Sequence, residues 1–183
     1  MKKTISIGIQ VFSDLREQDC FFVDKTNFIK EWWENRDVVT LITRPRRFGK
    51  TLNMSMLECF FSKKYANRAD LFEGLSIWQD ETYRKLQGAY PVIFLSFAAV
   101  KAGNLEDAKT QIKQEIARLY WENRNLMKED IFGEDERELY YRTTVKMDDV
   151  TAQDSLRNLS VWMERYYGKK VIILLDEYDT PMQ

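Results

Sequence analysis

Gly49, Lys50 and Thr51 follow one another directly, so a permissive backbone, an ammonium and a hydroxyl occur at one place in the chain. Glycine lets the backbone fold around an anion, lysine reaches the outer phosphates of a nucleotide, and the hydroxyl suits a hard divalent cation. A second group with matching chemistry lies far downstream, where Asp176 and Glu177 end the apolar run Val171-Ile172-Ile173-Leu174-Leu175. A carboxylate at the carboxyl end of a parallel strand lines the ligand crevice of an open α/β sheet and can hold the same cation. The glutamate beside it can accept a proton from an attacking water. The chain has no histidine, which excludes imidazole catalysis and the commonest zinc sites and leaves carboxylates and lysine to carry any chemistry.

Both groups need elements to hold them. Val38-Val39-Thr40-Leu41-Ile42 is a β-branched run of the kind buried on both faces of a parallel sheet, and a helix is expected from the glycine to about Phe61, with Leu52, Met56, Leu57 and Phe60 at helical spacing. This strand, loop and helix order aims free amides and the positive helix end at an anion. Pro91 to Phe97 reads as a second buried strand, entered through a proline. Asn104 then caps a helix carrying Leu105, Ala108, Ile112, Ile116 and Leu119 on one face. Residues 126–149 are charge-rich and read as a solvated helix with flanking loops. Thr151 with Asp154 marks the start of a last helix that places Leu156, Leu159, Met163 and Tyr166 together and stops at Gly168. An earlier helix is expected over Asn27 to Asn35, capped by Asp24 or Thr26, with Phe28, Ile29, Trp32 and Trp33 inward. Strands alternating with helices predict an α/β fold, a three-layer sandwich around a mostly parallel sheet.

Composition limits the alternatives. With 183 residues, 44% hydrophobic and a formal net charge of -1, the chain is expected to form one globular domain with no global attraction to nucleic acid or anionic membrane. No linker divides it, so residues 1–183 read as a single domain in which 1–36 are an N-terminal segment and helix and 37–183 the core. Cys20 and Cys59, each before Phe-Phe, read as reduced buried thiols, which points to the cytoplasm. No stretch approaches the ~18 uninterrupted apolar residues of a membrane span, so no membrane partner is expected. The tryptophans are expected in the core, and Asp179 is expected to close a turn with Pro181. A nuclease metal cluster of Asp176, Glu177 and Asp179 is the weaker reading, because no lysine follows at the spacing such a strand requires.

The loop departs from the common phosphate-binding pattern, since Arg44 and Pro45 stand where its first glycine and the next residue would be. The full segment Arg44-Pro45-Arg46-Arg47-Phe48-Gly49-Lys50-Thr51 nevertheless resembles the RPRRFGKS motif of the predicted AAA-ATPase-like family of bacterial P-loop proteins. Ile7 to Phe12, the box Phe22-Val23-Asp24-Lys25-Thr26 and the stretch Leu174 to Pro181 are similar to further motifs of that family, with Phe22 in place of its usual tyrosine. The resemblance implies a nucleotide partner, ATP with Mg²⁺, bound by Arg44, Pro45, Arg46, Arg47, Phe48, Gly49, Lys50, Thr51 and Leu52. Thr51 and Asp176 would hold the metal, and Lys50 and Glu177 would be catalytic. The role expected first is ATP hydrolysis; the alternative is a nucleotide-gated switch or scaffold with little turnover. Longer family members carry later strands, a helical lid and often a nuclease-like domain, so this sequence is expected to be an N-terminal part truncated after the Walker B strand. Alone it would be weakly active or inactive, open to homodimer or strand-swapped oligomer formation, with nucleic acid a partner only through later regions.

Overall fold

Aromatic side chains organise the chain up to Tyr90. Phe12, at 0% exposure, stacks on Phe72 at 5.2 Å; Phe72 meets Phe60 edge-on at 5.0 Å, and Phe60 meets Phe61 at the same distance. Trp32 and Trp33 pack on Phe61 from outside, at 5.4 and 5.3 Å. Such pairs add to the burial energy of the rings themselves, which is ~1.5–3 kcal/mol for each fully buried large side chain. These residues come from α1 (Phe12–Glu17), α2 (Asn27–Asn35) and α3 (Lys50–Phe61), with short 3₁₀ turns at Ala69–Phe72 and Ser76–Gln79 and the single turn α4 (Glu81–Arg84) closing the cluster. The computed structural model describes residues 4–5, 7–43 and 48–180, and its contacts form two compact units, Met1–Tyr90 and Pro91–Gln183.

In the first unit, α2 occupies the expected range, yet no side chain caps it in the expected way. Instead Asp24 Oδ1 accepts from the Thr26 amide and hydroxyl at 2.9 and 2.7 Å, and Asp24 Oδ2 accepts from the Ser76 amide and hydroxyl, both at 2.7 Å. The Ile77 amide donates to Thr26 Oγ1 at 3.1 Å. The box therefore ties two distant segments together. Burial opposes the Asp24 charge, but the hydrogen bonds from Ser76 and Thr26 outweigh it and hold the carboxyl below its ordinary range. Gly88 is required twice over: its φ is +63°, and a Cβ there would lie 2.3 Å from Ala66 Cα.

The second unit is a parallel β-α-β arrangement. β1 (Val92–Ser96) and β2 (Ile172–Asp176) pair directly, Val92 with Ile172 through Ser96 with Asp176, and α5 (Leu105–Glu122), α6 (Glu134–Arg142) and α7 (Asp149–Tyr167) lie between them in sequence. Parallel neighbours need such a crossover. Ile93 and Leu95 from β1, Leu119 and Tyr120 from α5, and Leu159 and Trp162 from α7 share one buried cluster. Two hydroxyls fasten it, Tyr120 donating to the Ser155 carbonyl at 2.9 Å and Tyr140 to the Tyr120 carbonyl at 2.6 Å. Lys109 and Lys113 both reach Asp149, at 2.9 and 2.7 Å, joining α5 to the start of α7.

The chain is thus α/β with a two-stranded parallel sheet among its described residues. Both later strands lie within a residue or so of their expected places, Asn104 caps α5 by accepting from the Asp107 amide at 2.9 Å, and Gly168 ends α7 with φ 64°. Four expectations are corrected. Residues 38–42 form no strand; Val38, Val39 and Leu41 are 101%, 85% and 63% exposed, and no described strand lies alongside to supply the ladder that a β-run needs. Asp148 rather than Thr151 caps α7, accepting from the Thr151 amide at 2.7 Å. Leu105 sits at the exposed first turn of α5, 68% accessible, instead of on its buried face. Trp121 is 66% exposed, with the Arg124 guanidinium 4.3 Å from its ring. Cys20 and Cys59 are free and buried, as expected. No helix among the described residues is long and apolar enough to cross a membrane.

Candidate functional site

One candidate group is the amino end of α3. Gly49 is its N-cap, with φ 76° and ψ 26°, a left-handed conformation that glycine adopts without penalty; the space around it is open, so backbone conformation alone demands glycine there. The Gly49 carbonyl accepts from the Asn53 amide at 2.9 Å, which starts the helix, while no side chain caps the end. The first amides of α3 therefore point outward without intrahelical partners and carry the positive end of the helix dipole. Lys50, Thr51 and Leu52 are half-buried there, and Phe48 is 61% exposed. One turn on, Ser55 Oγ accepts from the buried Phe12 amide at 3.0 Å, and Met56, Leu57 and Phe60 anchor the helix in the core. The predicted ligands Arg44, Pro45, Arg46 and Arg47 lie outside the described residues.

The other candidate group, in the second unit, is the carboxyl end of β2. Asp176, the last residue of the strand, is 4% exposed, and among the described residues its Oδ2 has no hydrogen-bond partner. A buried carboxylate oxygen left unsatisfied costs free energy that a bound cation or a donor removes, so this atom marks a place built to take one. The backbone holds it firmly, because the Phe97 amide donates to the Asp176 carbonyl at 3.0 Å and carries the ladder to the end of the strand.

At Glu177 the chain turns sharply. Its φ is 51°, left-handed for a residue with a full side chain, and the Thr180 amide closes the turn on the Glu177 carbonyl at 3.0 Å. The turn expected around Asp179 is therefore formed, with Pro181 outside the described residues. The structure brings Gly49, Lys50, Thr51 and Leu52 together on one helix end, and Asp176 and Glu177 together on one strand end.

A divalent cation fits the β2 end. Among the described residues no three acidic, cysteine or histidine side chains cluster to hold a metal ion. A single buried carboxylate with a free oxygen suits magnesium, which keeps several waters and takes one or two carboxylates beside substrate phosphates. One nearby residue escaped sequence reasoning. Ser96 ends β1 directly opposite Asp176, and only the strand register, which no local motif encodes, reveals it.

No solved structure matches the chain. It is 29% identical over 182 residues to a protein from Azotobacter chroococcum mcd 1 described as an uncharacterized protein in the vnfD 5'region, an alignment that covers 99% of this chain and 30% of that relative. The chain therefore spans about a third of that relative's length. A family model described as Predicted AAA-ATPase matches residues 6–183, nearly the whole sequence, and the chain belongs to this AAA-ATPase-like family.

Proposed function

We propose that residues 1–183 belong to one ATPase-like domain, with 37–183 as its P-loop core in a three-layer sandwich, and that the residues of the α3 end and those of the β2 end serve one nucleoside triphosphate, ATP. The observation that carries this reading is the buried Asp176 Oδ2, without a partner among the described residues, at the carboxyl end of a parallel strand. Lys50 and the first amides of α3 hold the phosphates, with Arg44, Pro45, Arg46, Arg47, Phe48 and Gly49 forming the rest of the cradle. Thr51 and Asp176 hold Mg²⁺, which when bound neutralises charge developing on the phosphates. Glu177 orients the attacking water and accepts its proton.

Isothermal titration of ATP with and without magnesium tests the assignment. Lys50→Ala is expected to lose binding under both conditions, and Asp176→Asn to lose only the part that magnesium adds. Affinities equal to wild type in both variants would sink the reading. Phosphate release separates hydrolysis from a switch or scaffold role: turnover abolished by Glu177→Gln with ATP binding intact marks an ATPase, and binding without turnover in either protein marks a switch. We further propose that copies of the chain pair through the exposed segment Val38 to Leu41, since an unpaired apolar run is a template for another chain.

A further inference from the structure

Ser96 and Asp176 are register partners at the carboxyl ends of β1 and β2. Directly opposed residues of a parallel pair project from the same face of the sheet, from backbones ~4.8 Å apart. Ser96 Oγ accepts from the Ala98 amide at 3.3 Å, which orients the side chain and leaves its second lone pair able to accept. Ser96 is half-buried, and its hydroxyl does not satisfy Asp176 Oδ2, which has no partner among the described residues. A water bridging the two side chains would lie ~2.8 Å from each oxygen.

We propose that Ser96 is a positioning residue for the cation held at Asp176. A water of the cation's hydration shell donates one hydrogen to Ser96 Oγ and the other to Asp176 Oδ2. Magnesium gives up its waters reluctantly, so a protein group that fixes one of them fixes the ion. The proposal rests on the reading of Asp176 as a metal ligand, and it adds a serine that no motif contains.

The test is Mn²⁺ binding to the full chain, followed by electron paramagnetic resonance in the presence of a non-hydrolysable ATP analogue. Ser96→Ala is expected to weaken Mn²⁺ affinity by roughly 10- to 100-fold, the usual effect of removing a group that orients a metal ligand. Binding of the analogue without metal is expected to stay at the wild-type level, and Ser96→Thr, which restores the hydroxyl, to recover most of the loss. Wild-type Mn²⁺ affinity in Ser96→Ala, or a Ser96→Thr variant as weak as Ser96→Ala, overturns the proposal. An equal loss of metal-free binding also overturns it, because that is the mark of a merely structural role. Failure of the Asp176 reading looks different: Asp176→Asn then binds Mn²⁺ as the wild type does, or the wild type binds none, and the role of Ser96 falls with it.

Discussion

Val38-Val39-Thr40-Leu41-Ile42 and Ile172-Ile173-Leu174-Leu175-Asp176 are nearly equal in length and apolar character, yet only the second is a strand. The later run lies against Val92–Ser96, and its ladder is complete from Ile172 to Asp176. The earlier run has no such neighbour among the described residues, and Val38 is wholly exposed. β-propensity measures how well a side chain fits a pleated, half-buried surface, so it acts only after another strand has supplied that surface. The same lesson applies to the two candidate groups. The α3 end is made by local chemistry, a left-handed glycine followed by a helix, whereas Asp176 acquires its burial from β1.

The contrast can be broken by mutation, and the largest effect is expected in the paired strands. Leu95→Ala, which removes a side chain 1% exposed in the core cluster, is expected to cost ~2–5 kcal/mol in urea denaturation, while Val39→Ala changes stability by less than ~0.5 kcal/mol. Equal costs would mean that the earlier run is packed in solution. Pairing between copies through that run is the next largest effect. Sedimentation is expected to reveal a concentration-dependent dimer, and Val39→Lys to raise its dissociation constant about tenfold, or ~1.4 kcal/mol. A Val39→Lys protein with an unchanged dimer leaves the exposed run without a role in assembly.

The smallest effect sharpens the picture of the unit that owns the paired strands. Arg165 holds Glu136 at 2.7 Å, the Gly133 amide donates to the same carboxylate at 3.1 Å, and together they pull its pKa down to about 2. A depressed carboxyl contributes stability above its unfolded value of 4.5 and loses it as pH falls toward 2. Thermal unfolding of the chain is therefore expected to carry this pair's contribution in full and without pH dependence near neutrality, and to lose it as pH falls between those limits. Glu136→Gln is expected to remove that part of the acid dependence; an identical acid profile in the variant would show the ion pair to be without weight.

Signals written within a few residues were legible in the sequence. Asn104 and Gly168 set the ends of α5 and α7 as their side-chain and backbone chemistry dictates, and the apolar runs before Phe97 and Asp176 became strands. The α7 cap was displaced because Asp148 and Thr151 are both competent caps three residues apart, and only the packed helix chooses between them. What stayed hidden was non-local. Asp24 spends one oxygen on Ser76, 52 residues away, and Ser96 matters only through its register with Asp176. The candidate site followed the same division: Gly49 to Leu52 and Asp176-Glu177 could be read directly, and the serine between them in function could not.

The left-handed backbone at Glu177 has an evolutionary consequence. An ordinary residue held in that conformation gives up ~1–2 kcal/mol that glycine would keep. Lineages released from the need for a carboxylate at this corner should drift toward glycine or asparagine and become sturdier as they do so. A glutamate that persists there is a record of continuing use.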